Sequence, residues 1–339
     1  MEDVLQMKFS ADTVSTIVIG NVGDALEHYL PKGRVIAVAD ASVHRLHRPL
    51  VERFEHIIIG QGESAKTLRT AEIVWKTLTE MQADRDTFLL GIGGGIVTDI
   101  TGFAAATYMR GIDFGFVPTT LLAQVDASLG GKNGVNLDGY KNLVGTFAQP
   151  RFVACDTELL KTLPDREFRA GLAEMIKAAI IGDAKLFEIF ERYTFDDFRQ
   201  LDGVVREALE LSIKVKAAIV RDDQLEQGAR RVLNLGHTIG HAIEKCSRKY
   251  IHGEAVAIGT VMIVDYAARE GKLSAEDAAR IRAVFEKYGF PLTADVDVER
   301  LTAAVLHDKK RSEEFINLVL PTSIGHCVVD RVPIEGLEV

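Results

Sequence analysis

The chain has 339 residues, 47% of them hydrophobic and 26% charged, with a formal net charge of -9. That length is enough for two domains with substantial cores, and the acidic balance argues against a general nucleic-acid binder. It leaves room for a locally basic pocket, because clefts focus charge regardless of the net value. Cys155, Cys246 and Cys327 are scattered and odd in number, which fits a reduced compartment better than a disulfide framework. Met1–Ser10 contains Glu2, Asp3 and Lys8 and no long apolar run. No signal peptide or membrane span is predicted, and the cytoplasm is the expected location.

The first half alternates short β-branched runs with helical stretches. Strands are predicted at Thr16–Gly20, Val35–Asp40, His56–Gly60, Phe88–Gly91, Phe114–Pro118 and Phe152–Asp156. Glu63–Glu80 is predicted as an amphipathic helix, with Ala65, Leu68, Ala71, Val74, Trp75 and Leu78 on one stripe. Such alternation implies a parallel sheet covered by helices. Beyond about residue 160 helices dominate: Arg166–Ile181, Leu201–Val220, Ala229–Lys245, Glu254–Glu270, Ala275–Lys287 and Glu299–Leu306, with a strand signal returning at Phe315–Leu320. The reading is an α/β nucleotide-binding domain over 1–160, with a Rossmann-like parallel sheet, followed by an all-α metal-binding domain over 161–339. A ligand site is expected where the two meet.

Three stretches carry chemistry. Gly93-Gly94-Gly95 follows a predicted buried strand and opens a helix bearing Asp99 one turn in. A glycine turn at a helix N-terminus presents backbone N–H groups to a phosphate, and the missing Cβ atoms admit a pyrophosphate. The competing explanation is a tight turn needing positive φ. Residues 118–145 are dense in Gly, Asn and Lys, with Lys132 after Gly130-Gly131, then Lys141-Asn142, Asp126 in the same segment and Arg110 upstream. Cations and amides on a glycine-rich segment suit an anionic, hydroxylated ligand. The competing explanation is a solvated loop.

The third stretch is Ala229–Lys245. Read as one helix, it places Arg230, Asn234, His237 and His241 on one face. Gly236 and Gly240 make sense there if something approaches the backbone closely. His252 opens the next predicted helix, and Glu174 with Lys177 lies on another. Histidines and a carboxylate on separate helices fit a catalytic zinc site with an open position. Spacing leaves His241 open between ligand and acid–base group.

These residues make the sequence similar to the 3-dehydroquinate synthase family of sugar-phosphate cyclases. The resemblance runs in order through Gly93-Gly94-Gly95 with Asp99, Arg110-Gly111, Pro118–Asp126, Gly130–Asn136, Lys141-Asn142, Thr162-Leu163-Pro164 with Arg166-Glu167, Gly171–Lys177, Asn234–His237 with Gly240-His241, and His252–Ala255. Asp308-Lys309-Lys310 adds a match near the C-terminus.

The resemblance implies conversion of 3-deoxy-D-arabino-heptulosonate 7-phosphate to 3-dehydroquinate and phosphate, in the shikimate pathway of aromatic amino acid biosynthesis. The implied sequence is transient oxidation by NAD, phosphate elimination, reduction and intramolecular aldol closure, so the enzyme is a lyase. Glu174, His237 and His252 are implied as ligands to one divalent metal, zinc or cobalt. Glu63, Lys66, Gly94, Gly95, Asp99, Thr119, Thr120, Lys132, Lys141, Thr162 and Glu167 are implied to line NAD. Lys132, Asn142 and one of Lys309 or Lys310 are implied to hold the phosphate, with Arg110 reaching across a homodimer. Asp126, Lys177, Lys216, Arg230, Asn234 and His241 are implied to hold the carboxylate and ring hydroxyls. Asn133 stands where many members have Thr, Tyr140 where a smaller residue is common, and the segment after Lys310 is short. Arg230 and Asn234 favour a substrate with a carboxylate over the sister cyclases. Lys132, Asn142, Lys177 and Lys216 argue against the metal-dependent polyol dehydrogenases, which need no phosphate pocket.

Overall fold

The computed structural model describes residues 3–9, 14–307 and 315–333. Lys309 and Lys310 lie outside the described residues. The chain divides into two compact units, Met1–Phe168 and Arg169–Val339.

The first unit is built on a seven-stranded sheet. Its strands are β1 (Asp3–Lys8), β2 (Val14–Ile19), β3 (Val35–Asp40), β4 (Glu55–Ile59), β5 (Phe88–Gly93), β6 (Phe114–Pro118) and, after a separate hairpin of β7 (Lys132–Leu137) and β8 (Tyr140–Phe147), β9 (Phe152–Cys155). The spatial order is β1-β2-β9-β6-β5-β3-β4. Only β1 pairs antiparallel; the other six strands are parallel. The apolar, buried runs of β3, β5, β6 and β9 are the signature of strands covered on both faces, while β4 forms a partly exposed edge. One face packs Val18, Leu26, Val43, Phe88, Leu90, Ile92, Val117 and Phe152 into a single core.

The order reverses between β3 and β5. The chain leaves β3 toward β4 on one side and β5 toward β6 on the other, which is where sheets of this type bind ligands, beyond the strand C-termini. Gly93-Gly94-Gly95 sits at that point.

The predicted Glu63–Glu80 helix is corrected. Glu63–Ala65 forms a separate 3-10 turn, and the α-helix is Leu68–Glu80. The Thr67 hydroxyl accepts from the Thr70 N–H, capping the helix and fixing its start.

The second unit is mostly helical but not purely so. Its long helices are Gly203–Asp222, His237–Cys246, His252–Arg269, Ala275–Lys287 and Val298–His307, with Asp165–Gly182 entering from the first unit. An antiparallel hairpin of β10 (Phe315–Ser323) and β11 (His326–Pro333) follows. The sequence pattern predicts β10 and misses β11, which returns through a turn at Gly325 with φ +89°. Among the described residues, no helix is long and apolar enough to cross a membrane.

Candidate active site and metal centre

In the first unit, the glycine turn is demanded by space rather than by backbone angle. None of its three glycines has positive φ. A Cβ on Gly93 would lie 2.5 Å from Val97, one on Gly94 3.0 Å from Thr120, and one on Gly95 3.1 Å from Ala127. Gly94 caps the Gly95–Thr107 helix without any side-chain acceptor, so its first N–H groups face outward for an anion. Thr119 donates its N–H to the Gly93 carbonyl at 2.9 Å. Thr119 and Thr120 are thus held beside the turn.

Lys66, Asp99 and Asn142 also converge. The Lys66 ammonium pairs with the Asp99 carboxylate and donates to Asn142 Oδ1 at 2.5 Å. Burial pushes the Asp99 carboxyl up to about 6 against the pull of Lys66, and the charges of Glu63 and Asp126 add to the rise. Asp126 lies in a π-helical turn, Ala123–Ala127.

The predicted loop over 118–145 contains more order than its composition indicates. Lys132 opens β7, and Asp138-Gly139, both at positive φ, turn the chain into β8. Between the pairs Val135–Val144 and Leu137–Tyr140 the register shifts, so Lys141, Asn142 and Leu143 bulge outward. Lys141 lies 4.0 Å from Glu63. Asn133, the departure from the family pattern, is buried, donates to the carbonyls of Gly131 and Ala148, and occupies the space left by Gly102. It is a packing residue. Thr162 meets His47 Nε2 at 3.0 Å. Glu167 is exposed in the first turn of its helix, and Arg110 is exposed on a turn at φ +69°.

In the second unit, Glu174, His237 and His252 come together from three helices. Glu174 is 2% exposed. Its Oε1 lies 3.7 Å from His237 Nε2 and 3.4 Å from His252 Nε2, and its Oε2 contacts the Lys177 ammonium. Neither oxygen makes a well-formed hydrogen bond. Burial opposes ionisation of Glu174, yet Lys177, His237 and His252 hold its carboxyl well below the usual range. Burial, with Lys177 nearby, lowers His237 to about 3. Burial also disfavours the charged form of His252, but the facing carboxylates of Glu174 and Glu244, each 3.4 Å away, outweigh it and raise the group to about 10.

The predicted single helix over Ala229–Lys245 is also corrected. Ala229–Asn234 is a 3-10 turn, and the α-helix begins at His237. Gly236 breaks the run at φ +75°, and a Cβ there would strike Thr260 and the backbone at Val256. The close approach expected at Gly236 and Gly240 is therefore made by the His252–Arg269 helix. Only His237 and His241 share a helix face. Arg230 is buried and donates to the Gln224 carbonyl, and Asn234 donates to Glu226 at 2.7 Å. Lys177 and Lys216 are buried.

Two histidines and one carboxylate, within 4.8 Å of one another at their ligand atoms, are a suitable donor set for a divalent metal. The buried carboxylate oxygens without hydrogen bonds support that fit. So does His237, whose Nδ1 donates to the Leu235 carbonyl at 3.1 Å and leaves Nε2 bare toward Glu174. Sequence reasoning missed Glu244, which meets His252 Nδ1 at 3.4 Å. It also missed Asn136, which bonds the Glu63 and Asn142 segments. The available signals were modest: Glu244 lies eight residues before His252, and Asn136 lies on the strand before an Asp-Gly turn.

Residues 56–170 match the 3-dehydroquinate synthase N-terminal family and residues 171–311 the 3-dehydroquinate synthase C-terminal family. A 3-dehydroquinate synthase from Acaryochloris marina (strain MBIC 11017) is 41% identical over 315 residues, covering 88% of this chain and 85% of the relative. A structure of 2-deoxy-scyllo-inosose synthase complexed with carbaglucose-6-phosphate, NAD+ and Co2+ is 28% identical with a TM-score of 0.87, covering 99% of this chain and 98% of that one. A 2-epi-5-epi-valiolone synthase from Streptomyces hygroscopicus subsp. jinggangensis 5008, with NAD+ and Zn2+ bound, is 27% identical with a TM-score of 0.85, covering 95% and 94%.

Proposed function

The chain belongs to the 3-dehydroquinate synthase family, and from that premise we propose that it converts 3-deoxy-D-arabino-heptulosonate 7-phosphate to 3-dehydroquinate and phosphate. The observation that carries the reading is the buried Glu174 carboxylate, ringed by His237 and His252 and lacking hydrogen bonds of its own. When bound, NAD+ supplies a transient hydride acceptor and a divalent ion, zinc or cobalt, polarises the alcohol oxygen at the reacting carbon.

Glu174, His237 and His252 hold the metal. The open amides after Gly94 and Gly95 take the pyrophosphate, while Glu63, Lys66, Asp99, Thr119, Thr120, Lys141, Thr162 and Glu167 line the rest of the cofactor. Lys132 and Asn142 hold the substrate phosphate and stabilise it as it leaves. Lys309 or Lys310 completes that subsite. Arg230, with Asn234, holds the substrate carboxylate through its planar fork of donors. Asp126, Lys177, Lys216 and His241 orient the ring hydroxyls and the groups that exchange protons. The enzyme works as a homodimer in the cytoplasm, with Arg110 of one copy serving the phosphate subsite of the other. Supporting the location are three cysteines that are free of disulfides.

The test is incubation of the zinc-loaded protein with NAD+ and 3-deoxy-D-arabino-heptulosonate 7-phosphate. Phosphate and dehydroquinate form in equal amounts without NADH accumulating. Steady NADH production from glycerol, with no phosphate release, would overturn the reading in favour of a polyol dehydrogenase.

A further inference from the structure

Asn136 has no ligand role in the functional reading, yet it stands where three of the assigned residues meet. Its backbone N–H donates to the Lys66 carbonyl at 2.9 Å. Its Oδ1 accepts the Asn142 N–H at 2.9 Å, and its Nδ2 donates to Glu63 at 2.8 Å. The amide orientation follows from chemistry, because a backbone N–H only donates and a carboxylate only accepts. Lys66 then closes a ring by donating to Asn142 Oδ1.

Asn136 also faces the bulge that carries Asn142, whose φ is +53°. A left-handed residue on a bulge needs outside support, and the Asn136 side-chain Oδ1 supplies it. From this geometry we propose that Asn136 is a positioning residue that ties the cofactor-side Glu63–Lys66 segment to the phosphate-side Asn142, so that the two subsites form as one unit. The inference rests on the assignment of those subsites in the functional reading.

An asparagine supplies one acceptor and one donor at this reach. Asn136→Asp keeps the acceptor for Asn142 but turns the donor into a charge facing Glu63. Combining it with Glu63→Gln restores the complement, because the glutamine amide then donates to Asp. Asn136→Ala removes both arms without adding charge.

The experiment measures NAD+ and inorganic phosphate binding to the zinc-loaded full chain by calorimetry, with kcat and KM alongside. Asn136→Asp and Asn136→Ala are expected to weaken both ligands about tenfold, as for loss of a hydrogen bond or two. KM is expected to rise more than kcat falls, because the lost contacts position ground and transition states alike. The Asn136→Asp/Glu63→Gln pair is expected to recover most of the phosphate affinity, the readout that does not depend on Glu63 as a cofactor contact. Unchanged affinities in the single variants, an effect on one ligand alone in them, or a double variant that binds phosphate no better than Asn136→Asp would overturn the proposal while leaving the functional reading intact. Failure of the unsubstituted chain to bind NAD+ would instead overturn that reading, and this inference with it.

Discussion

The Lys66–Asn142 network and the Glu174 cluster both gather charge, but they satisfy it differently. Around Asn136 each side-chain arm is a hydrogen bond between protein groups, and the Asp99 carboxylate has the Lys66 ammonium against it. Around Glu174 the carboxylate is buried among cations and imidazoles without a well-formed hydrogen bond. Buried polar groups normally find hydrogen bonds, so an exception points to a missing partner. The first region is closed by hydrogen bonds and an ion pair within the protein. In the second, Glu174 Oε2 meets the Lys177 ammonium, and Oε1 with the imidazoles of His237 and His252 forms a donor set suited to a divalent metal.

The largest break in that comparison is Glu174→Ala. It removes the only carboxylate of the metal set and is expected to abolish zinc binding and lower turnover by on the order of 10³-fold. Metal analysis and the phosphate-release assay check it. Retained zinc with retained turnover would refute the assignment.

Next is Gly253→Ala. Gly253 follows His252, and a Cβ there would lie 2.4 Å from the Ala170 Cα and 2.5 Å from its carbonyl oxygen. That backbone belongs to the helix carrying Glu174, so the glycine sets how closely His252 approaches it. The variant is expected to lose about 1–3 kcal/mol in denaturant unfolding. Gly271→Ala, with nothing within 4 Å but φ +68°, offers a control for backbone angle without the clash.

A smaller effect is expected of Glu244→Gln. A carboxylate on the far nitrogen of a ligating histidine fixes its orientation and raises its basicity, and its loss costs roughly tenfold or more in metal affinity. Chelator competition measures this, and an unchanged zinc affinity would show that Glu244 does not orient His252.

The smallest effect is a proton count. In the metal-free chain His252 is raised to about 10 and His237 lowered to about 3. At pH 7 the first carries a proton that a metal must displace, and the second does not. Zinc affinity is therefore expected to rise with pH, approaching tenfold per unit between about 7 and 9, with about one proton released per ion. Titration in dilute buffer at several pH values gives the number.

The two regions also differ in how far their sequences could be read. The parallel strands were legible because buried strands of this kind are continuous apolar runs, and Gly93-Gly94-Gly95 was legible from its place between such a strand and a helix. Glu174, His237 and His252 stood out by residue type. The helix around Arg230 misled because a spacing of four, three and four matches a helix face. The break at Gly236 comes from the neighbouring helix, whose residues Val256 and Thr260 leave no room for a side chain. Composition hid the β7–β8 hairpin, although Asp138-Gly139 is a strong turn signal. The roles of Asn136 and Glu244 depend on partners that local pattern does not name, 73 residues away for Glu63 and eight for His252.

The most direct test of the contrast between the two regions is anomalous diffraction at the zinc edge from crystals of the zinc-loaded protein. The account predicts one zinc bound by a Glu174 oxygen and by Nε2 of His237 and His252, at about 2.0–2.2 Å. A zinc held instead by His241, Glu244 and His252, or an active crystal with no zinc at Glu174, would contradict it.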